Sequence, residues 1–282
     1  MKLFTIEAGF FYTDGGAMFG VMSRKVWSRK YPVDADNRCP LAMRCLFADF
    51  GDRRVLFDAG VGNKPTGMSY YGFHDVIDIE EALAREGYDA ASVSDVVLSH
   101  LHFDHCGGCT KTLPDGRTVM TFPNARHWTT RAQWENSLNP SFWEKDAYLR
   151  ENLEAVREAG KLELLTQDTQ LFPGLTLHLY DGHSCGQLTG FIETAEGNWV
   201  FSGDVVPMAL HVTQGCIAAI DNAAAVSAEE KMRMMDLAEA SASRLVFYHD
   251  AVTAWASLRR GNGHFSLAER CEAPKSGVMR WI

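Results

Sequence analysis

Seven residues have the types and spacing to hold metal ions. His100, His102, Asp104 and His105 lie in one short stretch, and His183, Asp204 and His249 stand singly further along. The stretch reads Ser99-His100-Leu101-His102-Phe103-Asp104-His105 and directly follows the apolar run at 94–99. A single buried histidine is usually satisfied by a backbone carbonyl. Three clustered imidazoles need a cation or a wet surface, because their lone pairs and donors cannot all be met within an apolar core. In an extended segment, residues i and i+2 point the same way, so His100 and His102 can converge on one ion. Where the chain then turns, Asp104 and His105 can address a second. Imidazole with carboxylate suits Zn²⁺, and also Fe²⁺, Mn²⁺ or Co²⁺. His183, Asp204 and His249 each follow a strand-like run, which would bring them to the edge of a sheet. A carboxylate such as Asp204 can bridge two cations, which a neutral imidazole cannot.

The elements that must position these residues are legible as an α/β pattern. Residues 42–50 and 53–58 flank Gly51-Asp52 and predict a hairpin. Residues 94–99 predict a short strand, Leu175, Leu177 and Leu179 alternate in another, and 188–195 with 198–203 predict a second hairpin turning at Glu196-Gly197. Residues 244–248 complete the strands. Ser141 and Glu144 have capping-box spacing, followed by Leu149, Leu153 and Val156 and a stop at Gly160, which predicts one helix there. Ser227 and Glu230 repeat the box and open a helix burying Met234, Leu237 and Ala238. Met208, Met232, Met234 and Met235 read as core packing. Hairpins mixed with helical crossovers suggest a layered α/β sandwich, and no nucleotide-binding glycine motif follows any strand.

Composition narrows the function. A chain of 282 residues with 46% hydrophobic and 22% charged residues can bury a sizeable core. No domain boundary is visible, so a single domain over 1–282 is expected, with an N-terminal extension at about 10–40. Net charge −9 and the absence of basic runs exclude nucleic acid as the main partner. No leader or membrane-length apolar run is present, so a cytoplasmic protein with no membrane partner is expected. Seven cysteines without framework spacing fit a reducing compartment. Cys106 and Cys109 form a C-x-x-C, read as two small buried residues in a Gly-rich turn rather than a redox pair, since no second such pair completes a zinc site. His74, His127, His178 and His264 show no partner pattern. His211 follows Asp204 by a short loop and could line a pocket. Trp27 and Tyr31, read as exposed aromatics, hint at a homodimer.

Taken together, the ordered motifs resemble the metallo-β-lactamase-fold hydrolase superfamily over roughly residues 40 to 255. They are His100-x-His102-x-Asp104-His105, Gly182-His183-Ser184, Gly203-Asp204, the late His249 and Leu56-Phe57-Asp58-Ala59-Gly60. The resemblance implies an αββα sandwich of two mixed sheets flanked by helices. It implies a first ion on His100, His102 and His183, a second on Asp104, His105 and His249, and Asp204 bridging the pair. Asp58 would orient a ligand by hydrogen bonding. The expected cofactor is two divalent transition-metal ions, zinc first among them. A metal-bridging hydroxide would attack an ester or lactone carbonyl, with Asp104 orienting it and passing on its proton.

Within the superfamily the chain looks most like the quorum-quenching lactonase and arylesterase branch, whose substrates are N-acyl homoserine lactones and aryl esters. Part of that likeness is Asp14-Gly15-Gly16-Ala17-Met18-Phe19-Gly20, where Gly15-Gly16 permits a tight turn and Met18 and Phe19 could project into an acyl pocket. One departure stands out. Many such lactonases carry a Tyr three residues after the bridging Asp, and here that position is Pro207, which cannot donate a hydrogen bond. His211 is the candidate substitute. Other readings are a glyoxalase II-like thiolesterase, an organophosphate hydrolase, a redox-regulated metal-binding protein using Cys106 and Cys109, or a diiron oxidoreductase.

Overall fold

The computed structural model describes residues 1–64 and 67–281. The chain divides into two compact units, one made of 1–10, 43–167 and 276–282, the other of 11–42 and 168–275. Each holds all or most of one seven-stranded mixed sheet, with helices of its own.

The sheet of the first unit runs in the order Gly277–Arg280, Lys2–Asp14, Arg38–Asp49, Arg54–Phe57, Asp95–Val97, Arg126–Thr130, Leu162–Leu165. Its centre reads in the sequence as the hairpin expected there. Leu46 pairs with Phe57 and Asp49 with Arg54, and the turn between them uses Gly51 at φ +98°. Arg54–Phe57, Asp95–Val97 and Arg126–Thr130 are parallel and fully buried at Val55, Leu56, Phe57, Val96 and Val97. Because Phe57 lies beside Val97, Asp58 and the Ser99-to-His105 stretch leave the sheet together, at the carboxyl ends of parallel strands.

The second unit repeats this arrangement with different strands. Its order is His264–Glu272, Thr253–Gly261, Arg244–Val246, Trp199–Phe201, Gln187–Ile192, Leu175–Tyr180, Thr169–Phe172. Trp199–Phe201 and Arg244–Val246 are parallel, with Phe201 beside Val246, so Asp204 and His249 both emerge three residues past neighbouring strand ends. His183 sits in the turn joining Tyr180 to its partner Gln187, on the same edge.

Two helix expectations need correction. Residues 145–158 form no single helix. They make short turns at Lys145–Ala147 and Arg150–Asn152 and then the helix Glu154–Glu158. Glu144 does not close a capping box, because its carboxylate is turned to other side chains, and Asn152 is drawn inward where its carbonyl accepts from the Thr110 hydroxyl. The long helix Ala224–Ala240 begins three residues before Ser227. Its first turn packs on Gly182, whose φ of +119° and closeness to Ser227 leave no room for a Cβ. Its buried face is Ser227, Lys231, Met234, Met235 and Ala238, while Leu237 faces outward. Lys231 is itself buried and donates to the carbonyls of Thr213, Gln214 and Cys216, which ties the loop after Asp204 to this helix.

His127 lies wholly buried in the strand Arg126–Thr130, and burial holds its imidazole down to about 4. The folded chain keeps it neutral, whereas the unfolded chain takes a proton below pH ~6.5. Its contribution is therefore complete above that pH and is lost as the pH falls toward 4, by on the order of 3 kcal/mol. Urea unfolding midpoints are expected to fall between pH 6.5 and 4.5, and His127→Leu is expected to flatten that slope. An equal slope in the variant would show that His127 takes no part.

Candidate metal centre

In the first unit the site is built around Asp58. Asp58 adopts the left-handed conformation at φ +54°, which short polar residues tolerate better than most. Its carboxylate accepts from Ser99 N at 2.7 Å, Ser99 Oγ at 2.7 Å and His105 Nδ1 at 2.7 Å. The Ser99 proton is thereby committed, so Ser99 Oγ accepts from His100 Nδ1 at 3.1 Å. His102 donates from Nε2 to Glu144 Oε1 at 2.9 Å. The short helix Phe103–Cys106 follows and places Asp104 Oδ2 3.6 Å from His105 Nε2. Gly107 and Gly108 let this segment pack against the backbone of Ala59 and Val61, closer than a Cβ would allow.

In the second unit Asp204 stands between two histidines, with Oδ2 at 3.3 Å from His183 Nε2 and 3.4 Å from His249 Nε2. His183 Nδ1 donates to Asp221 Oδ1 at 2.9 Å, and His249 Nδ1 to the carbonyl of Ala42 at 2.9 Å.

These bonds decide which nitrogen each ring presents. One nitrogen of each neutral imidazole carries the proton, and its hydrogen-bond partner fixes which. His100, His105, His183 and His249 present Nε2, and His102 presents Nδ1. His100 Nε2 then meets His102 Nδ1 at 2.9 Å, lone pair to lone pair. The two nitrogens facing Asp204 meet a carboxylate oxygen in the same way. Such contacts repel unless a cation or a shared proton lies among them, so the donor set fits metal ions.

The remaining candidates are placed otherwise. Met18 and Phe19 do not project from the extension: they are 2% and 0% exposed, and Phe19 stacks on Trp27 and on His211. Gly15 and Gly16 open the short helix Gly15–Phe19, and Gly15 is where the Trp27 ring approaches too closely for any side chain. His211 is also buried, donates from Nε2 to the carbonyl of Met18, and is held down to about 4 by burial. Trp27 and Tyr31 are likewise buried, which removes the basis for reading them as a dimer surface. Tyr31 bonds Pro40 and Ala251 instead. Cys106 and Cys109 are buried, as expected of small residues in that turn, and burial pushes the Cys106 thiol up to about 12 and that of Cys109 upward too. Neither is held as a reactive thiolate.

Sequence reasoning missed Glu144, Tyr148 and Asp221. Asp221 lies in a loop with no motif around it. Glu144 was visible, but in the guise of a helix cap.

The sequence profile of the Metallo-beta-lactamase superfamily matches residues 44–243. The chain belongs to this superfamily. It is 25% identical over 186 residues to the N-acyl homoserine lactonase AttM of Azorhizobium caulinodans, a stretch covering 64% of this chain and 66% of that one. The chain spans less than two thirds of the curated relatives it matches first. In three dimensions it is similar to a Staphylococcus aureus protein described as a probable metal-dependent hydrolase, with TM-score 0.84, 26% identity and coverage of 95% and 96% of the two chains. It also shares its fold with AidC, a dizinc quorum-quenching lactonase, at TM-score 0.74, 17% identity and 94% and 93% coverage. The two mixed sheets with their helices are those of the superfamily's fold.

Asp58→Asn keeps a residue that tolerates positive φ but removes the charge opposite His105. It is expected to weaken metal retention about 10- to 100-fold in a chelator competition. Asp58→Ala adds roughly 1 kcal/mol of backbone strain in metal-free urea unfolding. Unchanged metal retention in both variants would remove Asp58 from this role.

Proposed function

We propose that the chain is a metal-dependent hydrolase that opens a lactone or carboxyl ester. In this reading His100, His102, Asp104, His105, His183, Asp204 and His249 gather about two divalent transition-metal ions. The observation that carries it is that five histidines, three in the first unit and two in the second, each have one ring nitrogen at hydrogen-bond distance from an outer partner, which points the lone pair of the other nitrogen toward a ligand. Bound ions would supply an acidified water and an electrophile for the carbonyl oxygen. His100, His102 and His183 would hold one ion and Asp104, His105 and His249 the other, with Asp204 serving both. Asp104 takes up the proton released as water adds to the carbonyl. Zinc is the favoured metal because imidazole and carboxylate suit it and because AidC is a dizinc protein.

The names of the relatives support the ester and lactone class. An aromatic cluster in the first unit supports an apolar substituent on the substrate: Tyr71 packs 5.6 Å and Phe73 6.0 Å from the ring of Phe103, the residue preceding Asp104. Neither of the two positions expected to supply a side-chain donor after Asp204 does so. Pro207 has none, and the Nε2 proton of His211 is committed to Met18. Substrates whose leaving group needs no proton should therefore be preferred. Aryl esters are expected to exceed N-acyl homoserine lactones in kcat/KM by about 100-fold, the lower range of what a positioned proton donor contributes.

Elemental analysis of wild type beside Asp204→Ala tests the centre. About two ions per chain, falling sharply in the variant, are expected. The metal-loaded protein is then offered lactones, aryl esters, a glutathione thioester and a phosphotriester, with acid release followed by titration. Turnover of the thioester or phosphotriester alone would move the reading to that class, and no turnover of any lactone or ester would overturn it.

A further inference from the structure

The least expected contact in the first unit is made by Glu144. It lies in a segment of broken turns, yet its side chain is buried. The carboxylate accepts from three side chains: His102 Nε2 at 2.9 Å and Tyr148 Oη at 2.6 Å on Oε1, and Asn136 Nδ2 at 2.8 Å on Oε2. Asn136 also donates to Tyr148 Oη at 2.9 Å, and Gln133 touches the same hydroxyl at 2.9 Å. Asn136 and Gln133 come from the helix Arg131–Leu138, which begins where the strand Arg126–Thr130 ends and is capped by Thr130. The carboxylate is thus anchored to a regular helix, although its own segment is irregular. The Tyr148 ring meets that of His102 at 5.2 Å, nearly edge-on.

We infer that Glu144 is a positioning residue for His102, selecting the nitrogen and the ring orientation that His102 offers to a metal ion. The inference rests on the metal-centre reading above. His102 is the one histidine of the five that presents Nδ1. The difference follows from its surroundings. The other four give their Nδ1 proton to a partner close by in the fold, whereas His102 meets a carboxylate on its far side and gives up the Nε2 proton instead. Losing Glu144 removes that charged acceptor and with it the strong preference for the Nε2 proton. Outer hydrogen bonds of this kind raise ligand basicity and fix ring orientation. Tyr148 and Asn136 fix the carboxylate in turn. A cavity of about 400 Å³ borders Tyr148, walled also by Trp134, Leu149 and Leu153. Tyr148 is therefore held by hydrogen bonds more than by packing on that side, and losing its hydroxyl should loosen Glu144.

The test uses Glu144→Ala, Glu144→Gln and Tyr148→Phe beside wild type, in metal-loaded and metal-free forms. Nitrogen NMR of labelled histidine reads the tautomer of His102, and chelator competition reads each metal affinity separately. In wild type the proton is expected on His102 Nε2 with or without metal. Glu144→Ala is expected to mix the tautomers and to loosen one ion about 10- to 100-fold while leaving the other within about twofold. Glu144→Gln, whose amide oxygen still accepts from His102, should keep the tautomer and most of the affinity. Tyr148→Phe should fall between the two. A wild-type His102 that coordinates through Nε2, or a Glu144→Ala variant with wild-type tautomer and both affinities intact, overturns the inference. Wild type that binds no metal at all defeats the hydrolase reading instead, and the metal-free tautomer still decides the role of Glu144.

Discussion

One carboxylate takes the three hydrogen bonds on which the histidine cluster of the first unit depends. Asp58 holds both the backbone and the hydroxyl of Ser99 and the Nδ1 proton of His105. It can do so because its strand and the one leading to Ser99 are parallel neighbours and because it accepts a left-handed backbone. From that anchor the hydroxyl of Ser99 is oriented, and through it His100. Two hydrophobic strands, indifferent to chemistry, thus end in a fixed set of directions for polar groups. Buried polar networks of this sort are costly unless every member is matched, which limits how the histidine stretch can sit.

The second unit reaches the same condition by other means. Its anchor is no single carboxylate but a set of separate acceptors: Asp221 for His183, the Ala42 carbonyl for His249, and the pair of parallel strands that deliver Asp204 and His249 together. Buried Lys231 braces the loop that runs from Asp204 toward Asp221 by gathering three of its carbonyls. In both units the rule is the same: a regular element delivers the residue, and a polar partner behind it decides which atom faces forward.

Much of this was legible in the sequence, and the gaps have physical causes. Hairpins and short strands were readable because alternation and turn residues act locally, as at Gly51. The candidate ligands stood out because His-x-His-x-Asp-His has no ordinary packing use. The helix expected after Ser141 failed because Glu144 has a stronger partner than the backbone it was expected to cap. Local rules break where a side chain is committed to a distant site. Asp221 left no trace because its role is set by a tertiary contact across 38 positions. Met18, Phe19, Trp27 and Tyr31 in the extension, and His211 after Asp204, were misread for one reason: apolar and aromatic side chains outside the regular pattern look alike whether they face a ligand, a partner or one another. Here they pack together.

The edge strand Gly277–Arg280 pairs with Phe4–Glu7 in the first unit's sheet. Phe4–Glu7 is therefore made long before the strand it pairs with, and the whole of 168–275 is synthesised between them. The second unit can finish its sheet while the first still lacks its outermost strand. During that interval the backbone amides and carbonyls of Phe4 to Glu7 lie open to any strand that passes, the template that most easily nucleates wrong pairing. Sealing by the returning chain is a highly non-local event, so how long one exposed strand must wait becomes part of this protein's route to its native fold.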